Sequence, residues 1–149
     1  MTTPTIRRAS ASDLDGLAAL FDAYRRFYEQ PADLALARDF LEARLARDES
    51  VVFVAEAGAG LVGFCQLYPT WCSVAAGKTF VLYDLFVADE ARRSGAGRAL
   101  MLAAQAFALE AGAVRIDLST AHTNSRAQAL YESLGWKRDK EFRTYSFEP

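Results

Sequence analysis

The sequence predicts an α/β fold: one mixed β-sheet of about seven strands flanked by four helices, within a single domain covering residues 1–149. Three observations predict it. Strands between residues 51 and 87 are separated by turns too short for anything but antiparallel pairing. The strands at 81–87 and 114–119 are joined through a helix, which makes them parallel neighbours with a right-handed crossover. Two helical stretches precede these strands and a third closes on Gly135 near the end of the chain.

In chain order, Thr5-Ile6-Arg7-Arg8-Ala9 reads as a short first strand. Ser12 and Asp15 have the spacing of a capping box. Leu14, Leu17, Phe21, Tyr24 and Tyr28 recur at helical spacing, which predicts a helix over 13–29, broken by Gln30-Pro31-Ala32-Asp33. A second helix covers 34–48, with Leu36, Phe40, Leu41 and Leu45 among charges. Val51 to Glu56 is rich in β-branched residues and reads as a strand. Ala57-Gly58-Ala59-Gly60 turns it into a long strand over 61–72. A second turn with Gly77 leads to the strand 79–87, and Gly112 closes the helix that follows. Strand 114–119, a helix from Asn124, and a final strand pair at 136–138 and 142–147 complete the order.

Composition excludes several classes. A chain of 149 residues with 52% hydrophobic residues can bury a sizeable core and is not disordered. A net charge of -2 makes no electrostatic case for nucleic-acid binding. Cys65 and Cys72 sit on one strand and form no metal-ligand pair, so both read as packing residues, and no metal is expected. The N-terminus lacks a basic region followed by an apolar run, and no apolar run approaches the length of a membrane span. A cytoplasmic protein is the expectation.

The chemistry concentrates between Val81 and Leu109. An apolar strand ends in Leu85-Phe86-Val87. A turn with Asp89 and Glu90 follows, and then the basic loop Arg92-Arg93-Ser94-Gly95-Ala96-Gly97-Arg98-Ala99 opens a helix. Such a loop aims unpaired backbone N–H groups at one point, and the helix adds the positive end of its dipole. Gly95 and Gly97 let the backbone approach a bulky anion, and Arg92, Arg93 and Arg98 add full charges. The inference is a phosphorylated cofactor, with its pyrophosphate in the loop. The loop is neither a Walker A run nor a dinucleotide fingerprint, because no G-x-x-x-x-G-K-[ST] run exists and position 100 is Leu.

The spacing Arg92-x-x-Gly95-x-Gly97, after a strand and before a helix, resembles the acetyl-CoA signature of the GNAT family of N-acetyltransferases. A second stretch supports the resemblance. Asn124-Ser125-Arg126-Ala127-Gln128-Ala129-Leu130-Tyr131-Glu132-Ser133-Leu134-Gly135-Trp136 is similar to the family's later motif N-x-x-A-x-x-L-Y-x-x-x-G-[FW] at every specified position. Asn124 and Tyr131 would lie about 10.5 Å apart along one helix face, with Leu130 and Leu134 in the core. The resemblance implies the single-domain GNAT fold, acetyl-CoA as cofactor, a primary amine of a small molecule as acceptor, and a homodimer. It places the cofactor against Leu85, Phe86 and Val87, residues 92–99, Asn124 and Tyr131.

Acetyl transfer to an amine sets three demands. A backbone N–H near Phe86 or Val87 would polarise the thioester carbonyl in the family's manner. Tyr131 would serve as general acid for the departing thiolate, since a thiol has a pKa of about 8.5 and a tyrosine about 10. A carboxylate must take a proton from the amine, and Asp84 is the first candidate, an acid in an otherwise apolar strand. Here the chain has some likeness to the spermidine/spermine acetyltransferases, which place two acids on this strand. Asp84 matches one of them and the other position is Tyr83. Glu56, Glu29 and Glu132 are reserves, and a salt bridge to a loop arginine is the plainer role for Asp84. Tyr28, Trp71 and Tyr83 are candidate acceptor-binding residues, with Tyr24, Phe27 and Tyr68 as further aromatics. His122, the one histidine, follows the strand at 114–119. A protein or peptide N-acetyltransferase, a non-catalytic acyl-CoA-binding regulatory domain and a nucleotide-binding domain are the alternatives.

Overall fold

The computed structural model of the chain describes residues 3–149. They form two compact units, the first ending at Leu118 and the second spanning Ser119–Pro149. The first unit holds β1 (Thr5–Arg8), α1 (Leu14–Phe27), α2 (Leu34–Ala46), β2 (Val51–Ala57), β3 (Gly60–Cys72), β4 (Gly77–Val87), α3 (Ala96–Glu110) and β5 (Arg115–Asp117). The second holds α4 (Ser125–Ser133). The strands form one mixed sheet in the order β1-β2-β3-β4-β5, antiparallel except for the parallel pair β4–β5.

Alternation along the strands sorts side chains to two faces. Val52, Val54 and Phe64 pack against Leu14, Leu17, Ala18, Leu20 and Phe21 of α1 and Ala37 and Leu41 of α2. The opposite face meets α3: Phe107 stacks edge-on against Phe53 and Phe80, and the Cys65 thiol lies 3.7 Å from the Leu100 carbonyl. Each fully buried Leu or Phe here contributes about 1.5–3 kcal/mol relative to exposure. Gly63 is required where α3 approaches, because a Cβ there would sit 2.9 Å from the Phe86 carbonyl oxygen and 3.4 Å from Leu100.

Four sequence expectations are corrected. The sheet has five strands among the described residues rather than about seven. Residues 136–147 form no strand pair. The Asp139 carboxylate instead accepts the amides of Glu141 and Phe142 in a local turn, and Phe142, Tyr145 and Phe147 are exposed. Two strands with no third to cover them are marginal. The capping box before α1 is Ser10 with Asp13, not Ser12 with Asp15: the Ser10 amide donates to Asp13 at 2.8 Å. Arg7 decides between the two frames by pairing with both Asp13 oxygens at 2.7 Å, whereas Asp15 faces Arg38. Finally, α4 buries no side chain fully; Leu130 and Leu134, expected in the core, are half-buried.

Candidate active site

The parallel ladder between β4 and β5 is short. It joins only Thr79, Phe80 and Val81 to Arg115, Ile116 and Asp117. Beyond Val81, β4 continues to Val87 with no strand among the described residues paired along its second edge. The amide of Ala88 donates to the Val62 carbonyl at 2.8 Å. By antiparallel alternation the N–H groups of Leu85 and Val87 then face that edge, and that of Phe86 faces β3. Of the two amides expected to polarise a carbonyl, Val87 is the one on that side.

The loop after β4 begins with a 3-10 turn at Asp89–Ala91 and enters α3 at Ala96. Arg92 is fastened in place, its guanidinium bonded to Asp89 at 2.9 Å and to the Val87 carbonyl at 3.2 Å. Arg93 and Gly95 both have left-handed backbones, with φ of 70° and 86°. For Arg93 that costs about 1–2 kcal/mol. Strain of this kind collects where a loop is shaped for a ligand. The Ser94 hydroxyl caps the Ala96 amide at 3.3 Å, while the amides of Arg93, Gly95 and Gly97 have no backbone acceptor among the described residues. A Cβ added at Gly95 would meet no atom within 4 Å, so the space in front of it is open. Donor amides, three arginines and a helix N-terminus suit the diphosphate of a large cofactor.

Asp84 lies on the α1 face of β4, within a buried polar chain. The Gln66 side-chain amide donates to Asp84 Oδ2 at 2.9 Å, and the Ser50 hydroxyl donates to Gln66 Oε1 at 2.8 Å. All three residues are buried. The β3–β4 register passes from Gln66–Asp84 to Leu67–Leu82, so Tyr83 bulges without a partner. The Tyr24 hydroxyl donates to the Tyr83 carbonyl at 3.4 Å and also interacts with the Asp84 carboxyl. No arginine or lysine among the described residues pairs with Asp84, which removes the plainer reading of it as a salt-bridge partner. Burial raises its carboxyl above the ordinary aspartate range, while hydrogen bonds from Gln66 and Tyr24 pull the other way. Burial foremost, with the Asp84 charge, pushes Tyr68 up to about 12 and Tyr24 higher still.

Aromatic rings surround this acid. Tyr24 touches Phe64, Phe86 and Tyr28 with centroids 5.7, 5.9 and 5.2 Å away, and Tyr68 meets Tyr83 at 5.8 Å. Phe27, Tyr28 and Tyr83 are exposed. Trp71 is not brought to this cluster; it stands on β3 opposite Lys78, about 17 Å along the strand from Gln66. Glu56 is engaged with Arg7, and Glu29 ends α1 in a left-handed conformation. In the second unit the Asn124 side-chain oxygen Oδ1 caps α4 by accepting from the Ala127 amide at 3.2 Å, and Tyr131 packs against Trp136 with ring centroids 6.3 Å apart. The His122 carbonyl accepts from Gln128. Glu132 is exposed on α4. Among the described residues no group of three or more His, Cys, Asp or Glu converges as a metal site.

Sequence reasoning missed Ser50 and Gln66. The signal was available: Gln66 is a lone polar residue within Phe64-Cys65-Gln66-Leu67, the pattern that singled out Asp84.

A basic glycine loop leading into a helix, at the end of a strand that parts from its parallel neighbour, defines a class of acyl-CoA-dependent transferases, and known proteins agree. The profile of the Acetyltransferase (GNAT) family matches residues 17–136, and the chain belongs to that family. It is 45% identical to an uncharacterised N-acetyltransferase of Bacillus subtilis, YhfO, over 94% of each chain. It is 32% identical to an uncharacterised N-acetyltransferase of Archaeoglobus fulgidus over 89% of this chain and 92% of the other. The crystal structure of a probable acetyltransferase superposes with a TM-score of 0.92 at 41% identity, covering 97% of each chain. The chain is thus an N-acetyltransferase of GNAT type. No helix among the described residues is long and apolar enough to cross a membrane.

Proposed function

We propose that the chain transfers an acetyl group from acetyl-CoA to a primary amine of a small molecule, amino-acid-like or polyamine-like. The amine attacks directly in a ternary complex, with Asp84 as general base and Tyr131 as general acid. The observation that carries this reading is the buried, cation-free carboxyl of Asp84 among aromatic rings. When bound, acetyl-CoA supplies a thioester-activated acetyl group.

Leu85, Phe86 and Val87 line the cofactor's strand edge, with the Val87 amide as the donor to its carbonyl oxygen. Arg92, Arg93, Ser94, Gly95, Ala96, Gly97, Arg98 and Ala99 hold the diphosphate. Asn124 uses its oxygen to cap α4, which leaves its side-chain NH2 for the cofactor. The Tyr131 phenol donates to the departing sulfur while itself uncharged. Tyr28 and Tyr83 offer ring faces that favour a cation, so the acceptor arrives as an ammonium. It must lose a proton, and a carboxylate held above its ordinary range takes that proton more readily than a solvated aspartate. Trp71, remote from Asp84 along the strand, is left out of this acceptor site. A homodimer and a cytoplasmic setting complete the reading: pairing would cover Phe142, Tyr145 and Phe147, and a reducing compartment suits two unbonded cysteines.

A thermal-shift comparison with an amine panel tests it. Acetyl-CoA should raise the Tm strongly while NAD and ATP do not, and some primary amines should release free thiol from acetyl-CoA. Equal shifts from all three nucleotides would defeat the cofactor assignment. A shift without thiol release from any amine would leave a binding domain rather than an enzyme.

A further inference from the structure

We propose that Gln66 is a positioning residue: clamped by the Ser50 hydroxyl, its side-chain amide holds Asp84 in one rotamer and supports it as a carboxylate within a buried setting. This deepens the reading of Asp84 as the base and rests on it.

The polarity of the chain follows from donor and acceptor chemistry. A carboxylate can only accept, so Gln66 must turn its NH2 toward Asp84 Oδ2, at 2.9 Å. The amide oxygen then points the other way and needs a donor, which the Ser50 hydroxyl supplies at 2.8 Å. Gln66 has no solvent-exposed surface and Ser50 is 3% exposed, so water does not compete for either group. Gln66 occupies one of the roughly four lone-pair sites of the Asp84 carboxylate, which leaves room for the proton of an incoming amine. An amide with one orientation is a fixed dipole directed at the negative charge, and it needs no reorganisation when that charge changes.

The groups facing Asp84 are few. Tyr24 comes from α1, Gln66 and Tyr68 from β3, and Tyr83 is its neighbour on β4; Cys65 lies on the opposite face of the sheet, against α3, and Arg44 of α2 acts on Tyr68. Burial holds Cys65 and Tyr68 up to about 12 and Tyr24 higher, so these three stay neutral through the range in which an aspartate titrates.

The test is Gln66→Met, which keeps the side-chain length and removes the amide, read by the carboxyl carbon-13 resonance of Asp84 and by the pH profile of kcat/KM. Loss of a donor to the carboxylate disfavours its charged form, so both the Asp84 midpoint and the acidic limb should move to higher pH, by about one unit. Ser50→Ala, the milder variant, should move them in the same direction by less, and serves alone if Gln66→Met does not fold. An unmoved Asp84 midpoint in a folded variant, whatever happens to its Tm, would reduce Gln66 to packing and overturn the inference. A midpoint that moves while the acidic limb persists unaltered in Asp84→Asn would uphold the positioning role and defeat Asp84 as the base.

Discussion

Gly95→Ala separates the two demands that the loop at 92–98 meets, because its energetic cost can be worked out before any ligand is added. Gly95 has φ of 86° and an added Cβ meets nothing within 4 Å, so the substitution introduces no clash in the free protein. What remains is the cost of a left-handed backbone for an L-residue, about 1–2 kcal/mol. For a chain of this size that should lower the Tm by about 2–8 °C. Gly112 provides the control. It ends α3 with φ of 75° and equally open surroundings, so Gly112→Ala should lose comparable stability. The two variants should part on coenzyme A binding by calorimetry. A methyl group in front of Gly95 keeps the backbone from closing on a diphosphate, and affinity should fall about tenfold or more, which is about 1.4 kcal/mol. Gly112→Ala should bind as the native chain does. If Gly95→Ala loses stability as calculated yet binds coenzyme A undiminished, the loop is not the diphosphate site.

Two further outcomes follow from the acid and the phenol. Tyr131→Phe should lower kcat by a factor of about 10²–10⁴, the usual contribution of a positioned acid, with little change in coenzyme A affinity; unchanged turnover removes Tyr131 from the mechanism. Asp84→Asn should abolish most turnover and yet raise the Tm at neutral pH. Its folded-state carboxyl is held above the ordinary value by burial, so ionisation costs stability as pH rises past the unfolded value. The gain over native protein should therefore vanish in acid, and a Tm difference independent of pH would refute the burial argument.

Much of the fold was legible because short turns leave few choices. The hairpin at Gly58 and the turn before Gly77 force β2, β3 and β4 into an antiparallel run, and a helix after Val87 forces the next strand to be parallel. The end of the chain was not legible in this way. Phe142, Tyr145 and Phe147 carry the residue types of a strand, but a strand is defined by what it pairs with, and composition does not say whether a partner is present. The cap before α1 misled for another reason. Ser10-x-x-Asp13 and Ser12-x-x-Asp15 satisfy the same local rule, and the choice is made by Arg7 on a different element. The basic loop and Asp84 could be read because each breaks a local pattern with a charge or a glycine. Gln66 breaks the apolar run of its strand in the same way, but its pairing with Ser50 and Asp84 is visible only once the strands are in register.

The features of β4 on which the proposed site rests lie close together along one strand. The strand stops pairing with β5 at Val81, bulges at Tyr83, presents Asp84, and then runs on to Val87 with one edge unpaired among the described residues. Open edge amides are a liability in a sheet unless something covers them, and a buried carboxylate without a cation is a liability unless polar groups and a wet cleft support it. Both liabilities fall within residues 82–87 of a single strand. By alternation the Leu85 and Val87 amides face the edge without a strand partner; two residues earlier, at the bulge, the Tyr83 carbonyl accepts the Tyr24 hydroxyl of α1. Gln66 donates to Asp84 and Ser50 to Gln66, and no arginine or lysine among the described residues pairs with the acid. On the proposed reading, the amide that meets the carbonyl, Val87, and the acid that takes the proton, Asp84, stand three residues apart on this one strand.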